Sequence, residues 1–195
     1  NVRERYDELK NTMISGEVEA VNAAVLSGKL QQAASGFLYV DGEPAGRLSD
    51  FRIRAAIEVC KLGGPTLLCY WFKEDYDRLL EVLAETDLGV GDLSSGDLVK
   101  TCDQWNSGIL DVLLIHPRSA GHGLNLAKGG NRVVWLAPQW SRDLWEQTIA
   151  RVWRRGQKNE VVVTTIMTDA GIDQLVALRV SDKAEFDRVF SRYFS

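Results

Sequence analysis

Asp111-Val112-Leu113-Leu114-Ile115 is a short apolar run that opens into a glycine-rich loop, His116-Pro117-Arg118-Ser119-Ala120-Gly121-His122-Gly123-Leu124-Asn125-Leu126. Four consecutive apolar side chains bounded by a charge and by loop residues describe a strand buried on both faces, the kind found in parallel sheets. The same signature recurs on either side. Upstream, Thr66–Phe72 is a buried strand released by the Gly63-Gly64-Pro65 stop, and Val90–Leu93 is a shorter one. Downstream, Arg132–Ala137 and Val161–Met167 read as strands. Between them lie segments of helical period: 50–62, 74–85 with Tyr76, Leu79, Leu80 and Leu83 on one face, 95–106, Ser141–Arg155, and most of 171–193. Strands alternating with helices of this length predict an α/β protein, a parallel sheet with helices on both faces. In such sheets ligands bind beyond the carboxyl ends of the strands. The residues just after Ile115, Ala137 and Met167 are therefore expected on one edge.

The segment before residue 50 differs. Residues 3–12 and 16–34 read as helices, the second opening at Ser15-Gly16-Glu17 and ending at Ser35-Gly36. Phe37–Val40 then runs into an Asp41-Gly42 turn. The expected organisation is a helical lead-in with a short hairpin over 1–49, and one α/β domain over 50–195.

Composition narrows the function classes. The chain has 195 residues, 45% hydrophobic and 26% charged, as in an ordinary globular protein. No apolar run approaches the roughly 18 residues that cross a bilayer, so no membrane role is expected. Cys60, Cys69 and Cys102 form an odd set with no metal-binding spacing. They read as thiols of a reducing compartment, hence a cytoplasmic setting. His116 and His122 have no Cys, Asp or Glu in their loop to complete a metal site. The start is charged and lacks an initiator Met, which reads as a piece of something longer. The net charge is −4 and the pI about 5.3. Any nucleic-acid contact must then come from a local patch, for which Arg151, Arg154, Arg155 and Lys158 are candidates. A solvated helix end accounts for the same charges.

If 141–155 is one helix, Gln147, Arg151 and Arg154 fall within about 60° of one another, opposite Leu144, Trp145, Thr148, Ile149 and Val152. Ser141 is the expected N-cap, Asp143 lies in the first turn, Arg154 and Arg155 in the last, and Gly156 follows as the C′ residue. Paired guanidiniums suit phosphate. The loop lacks a G-x-x-x-x-G-K-[ST] phosphate loop and a G-x-G-x-x-G fingerprint. Gly121 and Gly123 would let backbone amides approach a phosphate, with Ser119 and Asn125 hydrogen bonding beside them. A turn requiring positive φ explains the same glycines. Most of the six tryptophans fall on strands or apolar helix faces and read as core.

Loop and helix together resemble a known family. Gln147-Thr148-Ile149-Ala150-Arg151-Val152-Trp153-Arg154 is similar to motif VI (Q-x-x-G-R-x-x-R) of superfamily 2 helicases, and Arg155-Gly156-Gln157 continues as in the Swi/Snf-type ATPases. His116–Leu126 resembles their motif V, and Leu67–Phe72 stands in the place of motif IV, with Tyr70 and Trp71 where polar residues are usual. Trp140 takes the tryptophan place between motifs V and VI. Gly171-Ile172-Asp173-Gln174 resembles the element after the last strand, and Lys29–Gln32 with Ser35-Gly36-Phe37 is similar to the segment preceding this lobe in bacterial and phage members.

The resemblance implies a three-layer RecA-like fold and the C-terminal lobe of an ATP-dependent DNA helicase or translocase, in a bacterial cell or as a phage protein in the host cytoplasm. It implies ATP and Mg²⁺ held mainly by an N-terminal ATPase lobe of the same chain, and sequence-independent contact with the DNA backbone. Arg151 and Arg154 would be arginine fingers acting in catalysis, with Gln147 positioning them or the nucleotide. Ser119, Gly121, Gly123 and Asn125 would couple DNA phosphates to the nucleotide site, and Trp140 and Gln157 would lie near the cleft. The competing reading is a non-hydrolytic RecA-like or Rossmann-like module that binds a nucleotide or a protein partner. It differs in making Arg151 and Arg154 irrelevant to turnover.

Overall fold

In chain order the elements are α1 (Ala20–Ala34), β1 (Phe37–Val40), β2 (Glu43–Arg47), α2 (Phe51–Lys61), β3 (Thr66–Cys69), α3 (Lys73–Leu83), β4 (Val90–Asp92), α4 (Leu98–Asn106), β5 (Val112–Ile115), β6 (Arg132–Trp135), α5 (Arg142–Ile149), β7 (Val162–Thr165) and α6 (Gly171–Ser181). They come from a computed structural model, which describes residues 3, 4, 6–8, 20–94, 96–118 and 123–182. The chain divides into two units. One is built from Ile53–Ala137 and Ser141–Ile166, the other from Asn1–Arg52, Pro138–Trp140 and Met167–Ser195.

The first unit is the expected α/β layer structure. Its five strands form one wholly parallel sheet in the order β4-β5-β3-β6-β7. Cys69 is in register with both Ile115 and Trp135, and Trp135 with Thr165, so four strands end along one edge. Alternate side chains supply two cores. Leu67, Cys69, Leu113, Ile115, Val133 and Trp135 face one way and pack with Trp105 of α4, Leu126, Ile149 and Val152. Leu68, Val112, Leu114 and Val134 face the other and pack with Ile53, Ala56 and Ile57 of α2 and with Leu79 and Leu83 of α3. The central strands are buried along their whole length, which is why they read as continuous apolar runs.

In the second unit α1 and α6 share a small core of Leu26, Leu30, Ala33, Ile172, Leu175 and Val176, joined by Tyr6. The Tyr6 hydroxyl accepts the Ile172 amide at 2.9 Å. Phe37–Val40 pairs antiparallel with Glu43–Arg47 across the Asp41-Gly42 turn. A fully buried ion pair joins Arg52 to Asp173 at 2.5 Å, and the same carboxylate oxygen accepts the Thr168 amide and hydroxyl.

Boundaries differ from the sequence expectation where tertiary contacts intervene. The helix expected from 95 begins at Leu98, because Asp97 caps it by accepting the amides of Val99 and Lys100. Strand pairing ends at Cys69 and Thr165, short of Phe72 and Met167. The largest change is at α5. Ser141 caps it as expected, accepting the Leu144 amide, but the helix stops at Ile149 and does not reach Arg155. Residues 3, 4 and 6–8 are helical, as expected. The rest of 3–12, the start of the 16–34 helix, and residues 183–193 lie outside the described residues.

The loop after β5 returns to the sheet through one tight contact. Trp105 is fully buried, and its indole N–H donates to the Leu126 carbonyl at 2.9 Å. Its ring lies against Gly129 and Gly130, where there is no room for side chains. A Cβ on Gly129 would sit 2.3 Å from the Trp105 carbonyl oxygen and 2.4 Å from its ring, and one on Gly130 would sit 2.5 Å from the Pro65 carbonyl oxygen. Overpacking against backbone costs about 1–3 kcal/mol or more. Gly129→Ala is therefore expected to lower unfolding free energy by at least about 2 kcal/mol. Urea denaturation checks this, and wild-type stability would show that the contact is loose.

Candidate nucleotide and nucleic-acid interface

Past Ile149 the chain leaves the α-helix in short turns: the amides of Arg151 and Val152 bond to the carbonyls of Thr148 and Ile149 at 3.2 and 2.9 Å, and the Arg154 amide bonds to Val152. Two forces end the helix there. Val152 is drawn fully into the core. The Arg151 carbonyl, which a continuing helix would bond to residue 155, is taken by the Leu126 amide at 3.0 Å. The common face of Gln147, Arg151 and Arg154 therefore does not arise from helical phase: Gln147 is exposed on α5, while both arginines lie on the turn beyond it. Arg154 and Arg155 likewise stand outside the last helical turn, and the expected dipole stabilisation falls away. Gly156 (φ +105°) turns the chain within this segment and does not cap the helix.

Gln157 holds the turn in place. Its amide nitrogen donates to the carbonyls of Ala127 and Gly130 at 3.0 and 2.9 Å. Its oxygen accepts the amides of Lys158 and Asn159. Both donors and both lone pairs of the side-chain amide are used. Gln157 thus joins the arginine turn to the end of the loop after β5. Asn125 serves the same loop, its side-chain oxygen accepting the Ala127 amide at 3.2 Å and its carbonyl accepting Asn106.

The structure accordingly brings Gly123, Asn125, Arg151, Arg154 and Gln157 to one pair of adjoining loops. Arg154 reaches the Gly123 carbonyl at 3.4 Å. Arg151 is half-buried, and desolvation lowers its pKa from the usual guanidinium value, against the smaller opposing influence of Cys69 and Cys102. Ser119 and Gly121 lie outside the described residues. Trp140 belongs to the other unit, where its indole N–H donates to Gln31 at 2.6 Å and its ring packs beside the Leu26–Leu175 core.

One feature of the strand edge is not visible from spacing. Trp71 follows β3 and His116 follows β5, its in-register neighbour. Their rings stack 5.2 Å apart, and His116 Nε2 lies 3.1 Å from the Trp71 carbonyl. A carbonyl only accepts, so Nε2 carries the proton. Nδ1 then accepts the Arg118 amide at 3.2 Å. The Arg118 guanidinium closes the circuit, lying 4.8 Å from the Trp71 ring centre. Only neutral imidazole makes both bonds. Burial lowers the His116 pKa, and Arg118 adds to this against the opposing hydrogen bond to Trp71. Finding this cluster needs the adjacency of β3 and β5, which one sequence does not display.

A histidine whose folded-state pKa lies below its unfolded value of 6.5 contributes stability that is present above that value and lost as pH falls through the folded value. Wild-type protein is therefore expected to lose more stability between about pH 7 and about pH 5.5 than His116→Phe does. Urea midpoints at the two pH values measure the difference, and equal losses would contradict the neutral circuit.

Comparison with known proteins adds relatives to this geometry. No protein-family model matches the chain. Protein p41 of Acyrthosiphon pisum secondary endosymbiont phage 1 is 31% identical over 174 residues, 85% of this chain and 36% of that protein. The DNA repair and recombination protein RAD54 of Oryza sativa subsp. japonica is 34% identical over 95 residues, 48% of this chain and 10% of its own length. The chain thus spans about a third or less of these relatives. Among solved structures, the Sulfolobus solfataricus SWI2/SNF2 ATPase core in complex with dsDNA superposes with a TM-score of 0.64 at 19% identity, over 99% of this chain and 43% of that one. That likeness concerns the fold, which is the RecA-like layer expected from the sequence. The residues that resemble motifs V and VI thus sit on a RecA-like fold, and in sequence the chain is similar to RAD54, the likeness expected of a C-terminal lobe of Swi/Snf type.

Proposed function

We propose that this chain is the second motor lobe of an ATP-dependent DNA translocase or helicase, and that Arg151 and Arg154 act as its arginine fingers. The observation that carries the reading is the turn itself. Two arginines from motif VI are presented beyond α5 on a segment fastened to the motif V loop by Leu126, Gln157 and Arg154. Phosphoryl transfer needs positioning and charge stabilisation more than covalent chemistry.

The residues fit a phosphate. Arg151 is partly desolvated, so an anion placed against it meets a charge poorly screened by water. ATP with its Mg²⁺, held mainly by an N-terminal lobe, would supply the transferring phosphoryl group. On this chain Arg151 and Arg154 would bind its outer oxygens, and Gln147, exposed on α5, would help to position them or the nucleotide. Ser119, Gly121, Gly123 and Asn125 would meet the DNA backbone. Gln157 would act by positioning, since its amide is already fully bonded. Trp140 would be a further nucleotide- or DNA-binding residue. The 1–49 lead-in would precede a lobe spanning 50–195. The setting in this reading is cytoplasmic, in a bacterial cell or during phage growth.

The test is DNA-stimulated ATP hydrolysis by the full-length protein. Arg151→Ala and Arg154→Ala are each expected to reduce turnover about 10³–10⁵-fold while leaving nucleotide affinity within a few-fold. Lysine at either position should fail as well, since an ammonium lacks the planar fork. Arg155→Ala should keep most activity. Wild-type turnover in a folded Arg151→Ala, Arg154→Ala double variant would remove the mechanism.

A further inference from the structure

Trp153 stands apart from the other tryptophans. Trp105 and Trp135 are at most 1% exposed, whereas Trp153 is 73% exposed. An exposed indole offers a flat apolar face on which a planar ligand can stack. Its backbone is not loose: the Trp153 amide bonds to Ile149 at 2.8 Å, and the Gln157 bonds fix the far end of the turn. Trp153 borders an open concavity of about 350 Å³ with Arg154, Arg155, Gln157 and Asn159. Arg155 and Lys158 are exposed beside it. A flat apolar face rimmed by cations complements a ligand that is itself flat, aromatic and anionic.

We propose that Trp153 with Arg155 and Lys158 forms a binding site for unpaired nucleic acid, in which a base stacks on the indole and the flanking phosphates meet the two cations. The charge of the rim selects an anionic strand over an apolar peptide. The open concavity suits a strand passing across it better than an enclosed small molecule. Stacking is sequence-tolerant because every base offers a π-face. Arg154 lines the same concavity, but the assignment does not require the finger roles proposed for Arg151 and Arg154, and it distinguishes single strands from duplex, whose bases are already stacked.

Fluorescence anisotropy of the 195-residue chain with labelled oligothymidine, an abasic strand of equal length and a hairpin duplex tests the assignment. Trp153→Ala is expected to weaken oligothymidine binding about tenfold and to leave duplex binding unchanged. Trp153→Phe should recover much of the loss, because stacking survives. Wild type should bind the abasic strand about as weakly as Trp153→Ala binds oligothymidine. Arg155→Gln should lower the slope of log K against log salt by about 0.7 on the single strand. Trp153 is exposed, so folding should be intact by circular dichroism. Equal affinity of wild type for abasic and base-bearing strands would overturn the proposal. So would an unchanged Trp153→Ala, an equal loss on duplex, or full displacement of oligothymidine by millimolar AMP, which would mark a mononucleotide pocket.

Discussion

The hydrogen bond from the Leu126 amide to the Arg151 carbonyl is the constraint on which the arrangement of this lobe depends. It is a single backbone bond, but it removes the acceptor that the next turn of α5 would have used. The helix ends, Val152 turns into the core, and Arg151 and Arg154 are carried on a turn next to the motif V loop. Because the donor belongs to the segment after β5 and the acceptor to the segment after α5, the bond ties one loop to the other. In the proposed motor, such a linkage would let DNA contacts on one loop bear on the charges of the other.

That bond is held on both sides by packing. Trp105 anchors the Leu126 carbonyl through its indole N–H and fills the space that Gly129 and Gly130 leave open. Gln157 reaches back to two further carbonyls of that loop, those of Ala127 and Gly130. The buried face of the sheet thus fixes one end of the motif V loop. At its other end, the Trp71–His116–Arg118 circuit joins the exits of β3 and β5. The residues that replace the family's usual polar motif IV positions therefore take part in an aromatic and cationic cluster, and Tyr70 lies edge-on to the same imidazole at 5.5 Å.

The layered fold was legible because its strands are buried on both faces. Leu67, Leu68, Leu113, Leu114, Val133 and Val134 leave no polar alternation to confuse strand with surface, and the turn at Asp41-Gly42 announces itself by composition. The end of α5 was not legible. Residues 150–155 have a helical pattern and good helix formers, and what stops them is tertiary: burial of Val152 and the Leu126 amide on the Arg151 carbonyl. Tertiary contacts overrode local preference there. The candidate residues of motifs V and VI could be named from spacing, but their geometry could not. Helical phase gave the wrong reason for placing Arg151 near Arg154, and the bonding of Gln157 to Ala127 and Gly130 has no sequence signal. The buried Arg52–Asp173 pair joins residues far apart in the chain and was equally invisible.

The most direct measurement is native-state hydrogen exchange at the Leu126 amide, resolved by NMR in the 195-residue chain. If the motif V loop and the arginine turn are fastened as described, this amide is protected to the same degree as those of β5 and β6, and Trp105→Phe, which removes the indole donor, lowers that protection before it affects the strands. Exchange of the Leu126 amide at the rate of an exposed loop, with the strands still protected, would contradict the coupling of the two loops.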